Sequence, residues 1–210
     1  MNIYQALSAS YSLLITKSKT YKLDCEILLA DTLHIENRLS LFSNLNKKLT
    51  ENEINTFFKT IKEREKLKPI SKITKKKEFW NFEMDVTKKV LIPRPETEVL
   101  LDLVSKVFKK NSNIRFLDIG CGSGCITLSL LSIFSNSQGE AFDISKEAVM
   151  NTQLNLKKYH KLNQVKVFKR DVFKFKTNKK YDLIISNPPY VKKSDYTSLN
   201  SSIKIYEPKN

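Results

Sequence analysis

Two short stretches carry residue types whose spacing could do chemistry. The first is Ser186-Asn-Pro-Pro-Tyr190, entered directly from the apolar run Tyr181-Asp-Leu-Ile-Ile185. Two consecutive prolines remove backbone donors and fix φ, which leaves carbonyls available as acceptors. An amide or exocyclic amino nitrogen could then donate one hydrogen to the Asn187 side-chain oxygen and one to the Pro188 carbonyl, with Tyr190 stacked beside it. Such a nitrogen is a poor nucleophile because its lone pair is delocalised into the adjoining π system. Accepting both hydrogens encourages it to pyramidalise and aim that lone pair at the carbon it attacks, and holding the two atoms in line supplies much of the rate. A rigid Pro-Pro corner without chemistry is the competing reading of these five residues.

The second stretch is Phe116-Leu-Asp-Ile-Gly-Cys-Gly-Ser-Gly-Cys-Ile126, which contains three of the chain's four glycines within five residues. A chain this poor in glycine uses it where the backbone must turn tightly or admit a ligand closely. A dinucleotide fingerprint is G-x-G-x-x-G; here the third glycine comes one residue sooner, the variant seen in enzymes that use S-adenosylmethionine. Gly120, Cys121, Gly122, Ser123 and Gly124 would then approach its methionine and ribose portions, and an aromatic face can favour its sulfonium charge. Asp143 follows about twenty residues later, where a carboxylate can accept from a ribose diol, although it could equally cap the helix before Ser145. Asp171 and Val172 are candidates for adenine, one accepting from its amino group and one packing on its face.

These residues need a scaffold. From Asn2 to about Leu67 the pattern is helical, with Leu23, Ile27 and Leu28 on one face and Ile35, Leu39 and Phe42 on another. Thr50-Glu-Asn-Glu53 has the form of a capping box ahead of Ile54, Phe57, Phe58 and Ile61, and Pro69 is expected to end that helix. Lacking glycine and any titratable cluster, residues 1–68 read as a small all-α bundle that packs or binds. Phe79 to Ile92 is rich in strand formers, with Thr87-Lys-Lys89 as the turn, so residues 69–95 read as a β-hairpin linker. Pro95 to Glu98 suit a helix's first turn, acids at its positive end, which makes Arg94, Glu96 and Glu98 capping and surface-pairing residues. The chain then alternates: strand 114–119, helix 125–134, strand 138–143, helix 146–159, strands 165–169 and 181–186. Alternation of this kind builds a parallel α/β sheet with its ligand site at the strands' carboxyl ends, and assigns 96–210 to the catalytic domain.

Composition narrows the function. The net charge is +15, but only five of the 37 basic residues are arginine (Arg38, Arg64, Arg94, Arg115, Arg170). Base recognition favours arginine, and dispersed lysine is commonly a solvated surface, so a direct nucleic-acid role is disfavoured. Cys25, Cys121 and Cys125 have no metal-ligand spacing and are odd in number, which points to packing rather than zinc or disulfides. His34 and His160 lie far from both motifs, against a histidine-based nucleophilic mechanism. No apolar run reaches the roughly 18 residues of a membrane span, and the N-terminus lacks signal-peptide character. A cytoplasmic, metal-free protein is expected.

Taken together, these residues resemble the bacterial glutamine methyltransferases that modify peptide chain release factors, the HemK/PrmC type. The likeness runs through Glu78-Phe-Trp80, Leu91-Ile-Pro-Arg-Pro-Glu-Thr-Glu98, the loop at 120–124, Asn187-Pro-Pro-Tyr190 and Tyr206-Glu-Pro-Lys209. Asn-Pro-Pro-Tyr alone is shared with adenine and guanine amino-methyltransferases; its combination with Pro-Arg-Pro-Glu-Thr-Glu is far more specific. The resemblance implies a Rossmann-like S-adenosylmethionine-dependent methyltransferase domain and a protein substrate, the release factor, docked in part by the N-terminal bundle. It implies that residues 120–124, Asp143, Val172 and Asn187 hold the cofactor, that Asn187, Pro188, Pro189 and Tyr190 hold the Gly-Gly-Gln glutamine, and that Asn187, Pro188 and Tyr190 carry catalysis. The family's catalytic domain continues through three further strands of a seven-stranded sheet. A C-terminally incomplete, four-stranded domain is therefore expected, with Leu183-Ile-Ile185 on an open apolar edge and its stability impaired unless another chain completes the sheet. The alternatives are a glutamine methyltransferase of a large-subunit ribosomal protein, a nucleic-acid amino-methyltransferase and a non-catalytic remnant.

Overall fold

Two N-terminal helices begin by the same device, a side chain that accepts from the backbone three residues on. In the computed structural model, which describes residues 1–87, 89–110, 112–188 and 205–206, Asn2 accepts from the Gln5 amide at 2.8 Å and Thr50 from the Glu53 amide at 3.2 Å. Gln5 and Glu53 each reach back to the cap's own N–H, closing both boxes. Helices α1 (Ile3–Leu14), α2 (Tyr21–Thr32), α3 (Glu51–Glu65) and the short α4 (Ile70–Thr74) surround a core that includes Ile3, Leu14, Leu28, Leu29, Leu41, Phe57 and Ile61, none of them exposed. These helices, with Ile205 and Tyr206, form one compact unit. Inside it Asp24, 4% exposed, accepts from Arg64 at 2.8 Å and from the Ser18 and Thr20 hydroxyls, so the buried charge is paired and solvated by the protein.

Two expectations about this unit need correction. Leu39 and Phe42 are exposed and Leu41 is buried in their stead, because Arg38–Asn44 is a 3-10 helix whose three-residue turn rotates its side chains off an α-helical template. Pro69 does not end α3, which stops at Glu65; its carbonyl accepts from Lys72 and Ile73 and so opens α4.

From Lys75 a second compact unit begins. Its hairpin pairs β1 (Lys76–Phe79) with β2 (Phe82–Asp85) and turns at Trp80-Asn81, not at Thr87-Lys-Lys89. A two-residue hairpin turn needs left-handed backbone, and Trp80 provides it at φ +54°, a conformation that bulky residues seldom adopt. The Glu98 carboxylate accepts the Trp80 amide at 2.9 Å and holds it there. Val86, Val90 and Ile92, read as strand residues, are buried beyond the hairpin.

After α5 (Glu98–Val107) come β3 (Arg115–Ile119), α6 (Cys125–Ile133), β4 (Gln138–Asp143), α7 (Lys146–Lys158), β5 (Val165–Lys169) and β6 (Leu183–Ser186). The four strands are parallel in the order β5-β4-β3-β6, a Rossmann-like core in which the strand order reverses beside β3. Ile119 is level with Phe142 on one side and Ser186 on the other, so three strand ends share one edge. Among the described residues β6 ends the order, with Ile184 61% exposed and Ile185 buried. No described helix is long and apolar enough to cross a membrane.

Gly139, the one glycine outside the loop, has a packing reason. It lies opposite Phe116 in the β3–β4 register, and a Cβ there would come within 2.4 Å of two carbons of that fully buried ring. Gly139→Ala is expected to lower the unfolding free energy by about 1–3 kcal/mol, measurable by urea denaturation.

Candidate functional site

The loop between β3 and α6 passes three times through left-handed backbone, at Gly120 (φ +75°), Gly122 (φ +55°) and Gly124 (φ +80°). Its inner side is fully engaged. The amides of Gly120 and Cys121 both donate to the Phe142 carbonyl, at 2.8 and 3.1 Å; the Gly122 amide donates to Asp143 Oδ2 at 3.0 Å. The Thr152 hydroxyl donates to the Gly122 carbonyl at 3.1 Å and Asn155 Nδ2 to the Ser123 carbonyl at 2.9 Å. A Cβ on Gly124 would meet Thr152 Cγ2 at 2.9 Å, whereas one on Gly120 would meet nothing within 4 Å. The loop therefore has a wall behind it and open space at Gly120, a shape into which a ligand fits and a side chain would intrude. Cys121, Ser123 and Cys125 are buried. Burial pushes the Cys125 thiol up to about 12 and the Cys121 thiol up as well, so both remain neutral packing groups.

At the end of β4, Asp143 does two jobs at once: Oδ2 holds the loop and Oδ1 accepts from the Ser145 amide at 2.8 Å. Ser145 itself caps α7, accepting from Ala148. Each carboxylate oxygen keeps a second lone pair, so the capping and ligand readings of Asp143 are compatible. Asp171, after β5, accepts from the Phe173 amide at 3.0 Å. Val172 is 45% exposed, and so is Ile144, at 65%, immediately after Asp143 on the neighbouring strand. Two large aliphatic side chains left in solvent at adjoining strand ends suit the two faces of a planar ring. The sequence reading passed over Ile144, and its signal was an apolar residue directly after the strand's terminal acid.

Asn187 begins one residue beyond Ser186, whose hydroxyl donates to the Ile119 carbonyl at 2.7 Å and ties β6 to the mouth of the glycine loop. Its side chain is half-buried, and Nδ2 donates to Thr97 Oγ1 at 2.8 Å. Pro188 is exposed. Pro189 and Tyr190, with residues 207–209 of the Glu-Pro element, lie outside the described residues. Thr97 belongs to the Pro-Arg-Pro-Glu-Thr-Glu motif but has no role in the sequence reading, because a threonine there looks like an ordinary helix cap.

Helix α7 forms where the pattern places it, but its buried polar residues carry a role that the sequence did not assign. Asn151, Thr152 and Asn155 are at most 1% exposed. Asn155 Oδ1 accepts the Asp85 amide at 2.8 Å, and its Nδ2 donates to the Asp85 and Ser123 carbonyls, both at 2.9 Å. Asn151 accepts from Thr87 and donates to Asp85. One helical turn thus satisfies the backbone edge of β2 on one side and the glycine loop on the other. Asparagines four apart in a helix interior, where they are poor formers, were the available clue. A cavity of about 370 Å³ lined by Thr87, Lys89, Glu147, Met150, Asn151 and Leu154 contains none of the candidate cofactor, substrate or catalytic residues. Among the described residues no group of three or more His, Cys, Asp or Glu could hold a metal ion.

Beneath the loop, Asp118 is wholly buried and its Oδ1 has no hydrogen-bond partner, while Oδ2 accepts from Thr127 at 2.5 Å. Burial raises its carboxyl from 3.8 to about 6, against the opposing Thr127 hydrogen bond and with a contribution from Asp143. An acid with a folded-state pKa above its unfolded one loses stability as pH rises from the lower value through the higher. Wild-type stability should therefore fall by about 2 kcal/mol between pH 4 and 7 relative to Asp118→Asn, as read from paired denaturant titrations. Asn155→Ala should cost on the order of 3 kcal/mol by leaving backbone groups buried and unpaired, with faster hydrogen exchange at the Asp85 amide as the local readout.

Comparison with known proteins agrees with this geometry. The family described as methyltransferase small domain matches residues 96–204, and the PrmC N-terminal domain matches residues 5–74. A release factor glutamine methyltransferase of Clostridium acetobutylicum is 33% identical, with 99% of this chain and 74% of that protein covered. Another, of Leptospira interrogans, is 38% identical over 89% of this chain and 66% of its own length. A bifunctional methyltransferase of Rickettsia typhi is 34% identical over 89% of this chain and 39% of its own length. The chain thus spans from about two fifths to three quarters of these relatives. With both halves matched in order and the glycine loop built as described, the chain belongs to the HemK/PrmC-like family of methyltransferases.

Proposed function

We propose that this chain methylates the side-chain amide nitrogen of the glutamine in the Gly-Gly-Gln motif of peptide chain release factors. The observation that carries the reading is the level register of β3 and β6, which sets the opening at Gly120 and the Asn187 amide one residue beyond the paired residues Ile119 and Ser186. A methyl donor on the loop and a nitrogen at Asn187 then lie along one sheet edge, as direct transfer requires. The likeness to release factor glutamine methyltransferases supports glutamine as the source of that nitrogen.

S-adenosylmethionine, when bound, supplies the methyl group on a sulfonium sulfur. Gly120, Cys121, Gly122, Ser123 and Gly124 would line its methionine and ribose portions, and the remaining lone pairs of Asp143 would accept from the ribose hydroxyls. Asp171 would accept from the adenine amino group, with Ile144 and Val172 on the ring faces. Asn187 Oδ1 and the Pro188 carbonyl take the two hydrogens of the glutamine amide, and Pro189 and Tyr190 complete its seat. With both hydrogens engaged, the nitrogen's lone pair would turn out of conjugation toward the methyl group, so that forming the nitrogen–carbon bond would be matched by release of a neutral thioether. The nitrogen then gives one proton to water. Residues 1–74 would contribute to docking the release factor.

Labelled methyl should pass from S-adenosylmethionine to purified release factor and not to a factor whose Gly-Gly-Gln glutamine is replaced by alanine. Asn187→Ala should cut the rate by about 100-fold or more. Equal labelling of both factors, or full activity in Asn187→Ala, would overturn the assignment.

A further inference from the structure

We infer that Thr97 is a positioning residue whose hydroxyl anchors the Asn187 amide, an inference that rests on the role proposed for Asn187. An asparagine amide can turn half a revolution at little cost, and its oxygen and nitrogen are nearly the same size. Only one of the two orientations offers a carbonyl oxygen to a substrate N–H. Thr97 Oγ1 stands 2.8 Å from Asn187 Nδ2, across 90 residues of sequence. The hydroxyl could pair with either end of the amide; in the arrangement observed Nδ2 faces Thr97 and Oδ1 is left as the acceptor for the substrate.

The surroundings of Thr97 show that its hydroxyl is reserved for this contact. It occupies the cap position of α5, where a threonine ordinarily accepts a backbone amide, yet its backbone is helical (φ −68°, ψ −22°) and its side chain makes no cap hydrogen bond. It is 5% exposed, so water does not compete freely for it. The turn that bears it is itself anchored: the Thr97 amide donates to the Arg94 carbonyl at 3.0 Å, and the next residue, Glu98, grips the hairpin tip through the Trp80 amide. A rigid turn therefore presents the hydroxyl, and the hydroxyl presents the amide. Hydrogen-bonded support of a reacting group of this kind governs geometry more than affinity.

The test compares Thr97→Val, which keeps the shape and removes the hydroxyl, with Thr97→Ser, which keeps the hydroxyl. In methyl transfer to release factor, Thr97→Val is expected to lower kcat by about 10- to 100-fold with its melting temperature and its dissociation constant for S-adenosylmethionine near wild type, while Thr97→Ser stays within about threefold. A second measurement needs no activity: in ¹⁵N-labelled protein the Asn187 side-chain NH₂ pair, identified by its loss in Asn187→Ala, should exchange with solvent about tenfold faster in Thr97→Val than in wild type or Thr97→Ser. Unchanged kcat in Thr97→Val, equal losses in both variants, or an Asn187 pair indifferent to the substitution would overturn the inference. If wild type transfers no label, the proposed substrate is wrong, and the exchange of the Asn187 pair still decides whether Thr97 anchors it.

Discussion

Left-handed backbone at three alternate residues of one loop is the constraint around which the rest of the second unit is arranged. A chain that turns this way cannot satisfy its own amides and carbonyls by continuing a strand or starting a helix. At residues 120–124 the partners come from two elements: the Phe142 carbonyl and Asp143 carboxylate at the end of β4, and Thr152 and Asn155 on α7. Those partners are in place only if β4 lies beside β3 in the observed register and α7 packs against the loop's inner side. The strand order, the burial of polar side chains on α7 and the open space at Gly120 are thus parts of one solution.

The same helix carries the constraint outward. The inner edge of β2 meets side-chain amides of α7 where a sheet would offer another strand. The hairpin is held at its other end by Glu98, one residue from Thr97, and Thr97 holds Asn187. Hairpin, glycine loop and the start of the Asn-Pro-Pro-Tyr element are therefore linked by hydrogen bonds to buried or half-buried side chains, whose loss is costly because water cannot replace the partner. Asp118 sits at the base of this arrangement as an exception, a buried carboxyl with one oxygen unpartnered. Groups of that kind concentrate at sites of function.

Much of this could be read in the sequence because local chemistry and global fold agree there. The strands at 138–143 and 165–169 have the expected bounds, the second because Val165, Val167 and Phe168 are strand formers. The Thr50 capping box forms as its spacing requires. What failed did so for identifiable reasons. Trp80 turns the hairpin although a tryptophan in left-handed backbone is disfavoured, because a carboxylate eighteen residues away fixes its amide. Leu39 and Phe42 leave the core because their helix winds at three residues per turn. Asn151 and Asn155 leave a trace in their spacing, but their partners, like that of Thr97, lie 64, 70 and 90 residues distant, and no local pattern reports such contacts.

The account stands on the glycine loop being a cofactor cradle in this chain. Calorimetric titration of the folded protein with S-adenosylmethionine tests that directly. Saturable binding of one equivalent, lost when Gly120 is replaced by a bulky residue that leaves the melting transition intact, is the predicted result. A folded chain that takes up no S-adenosylmethionine, or one whose binding is indifferent to a side chain at Gly120, would contradict it.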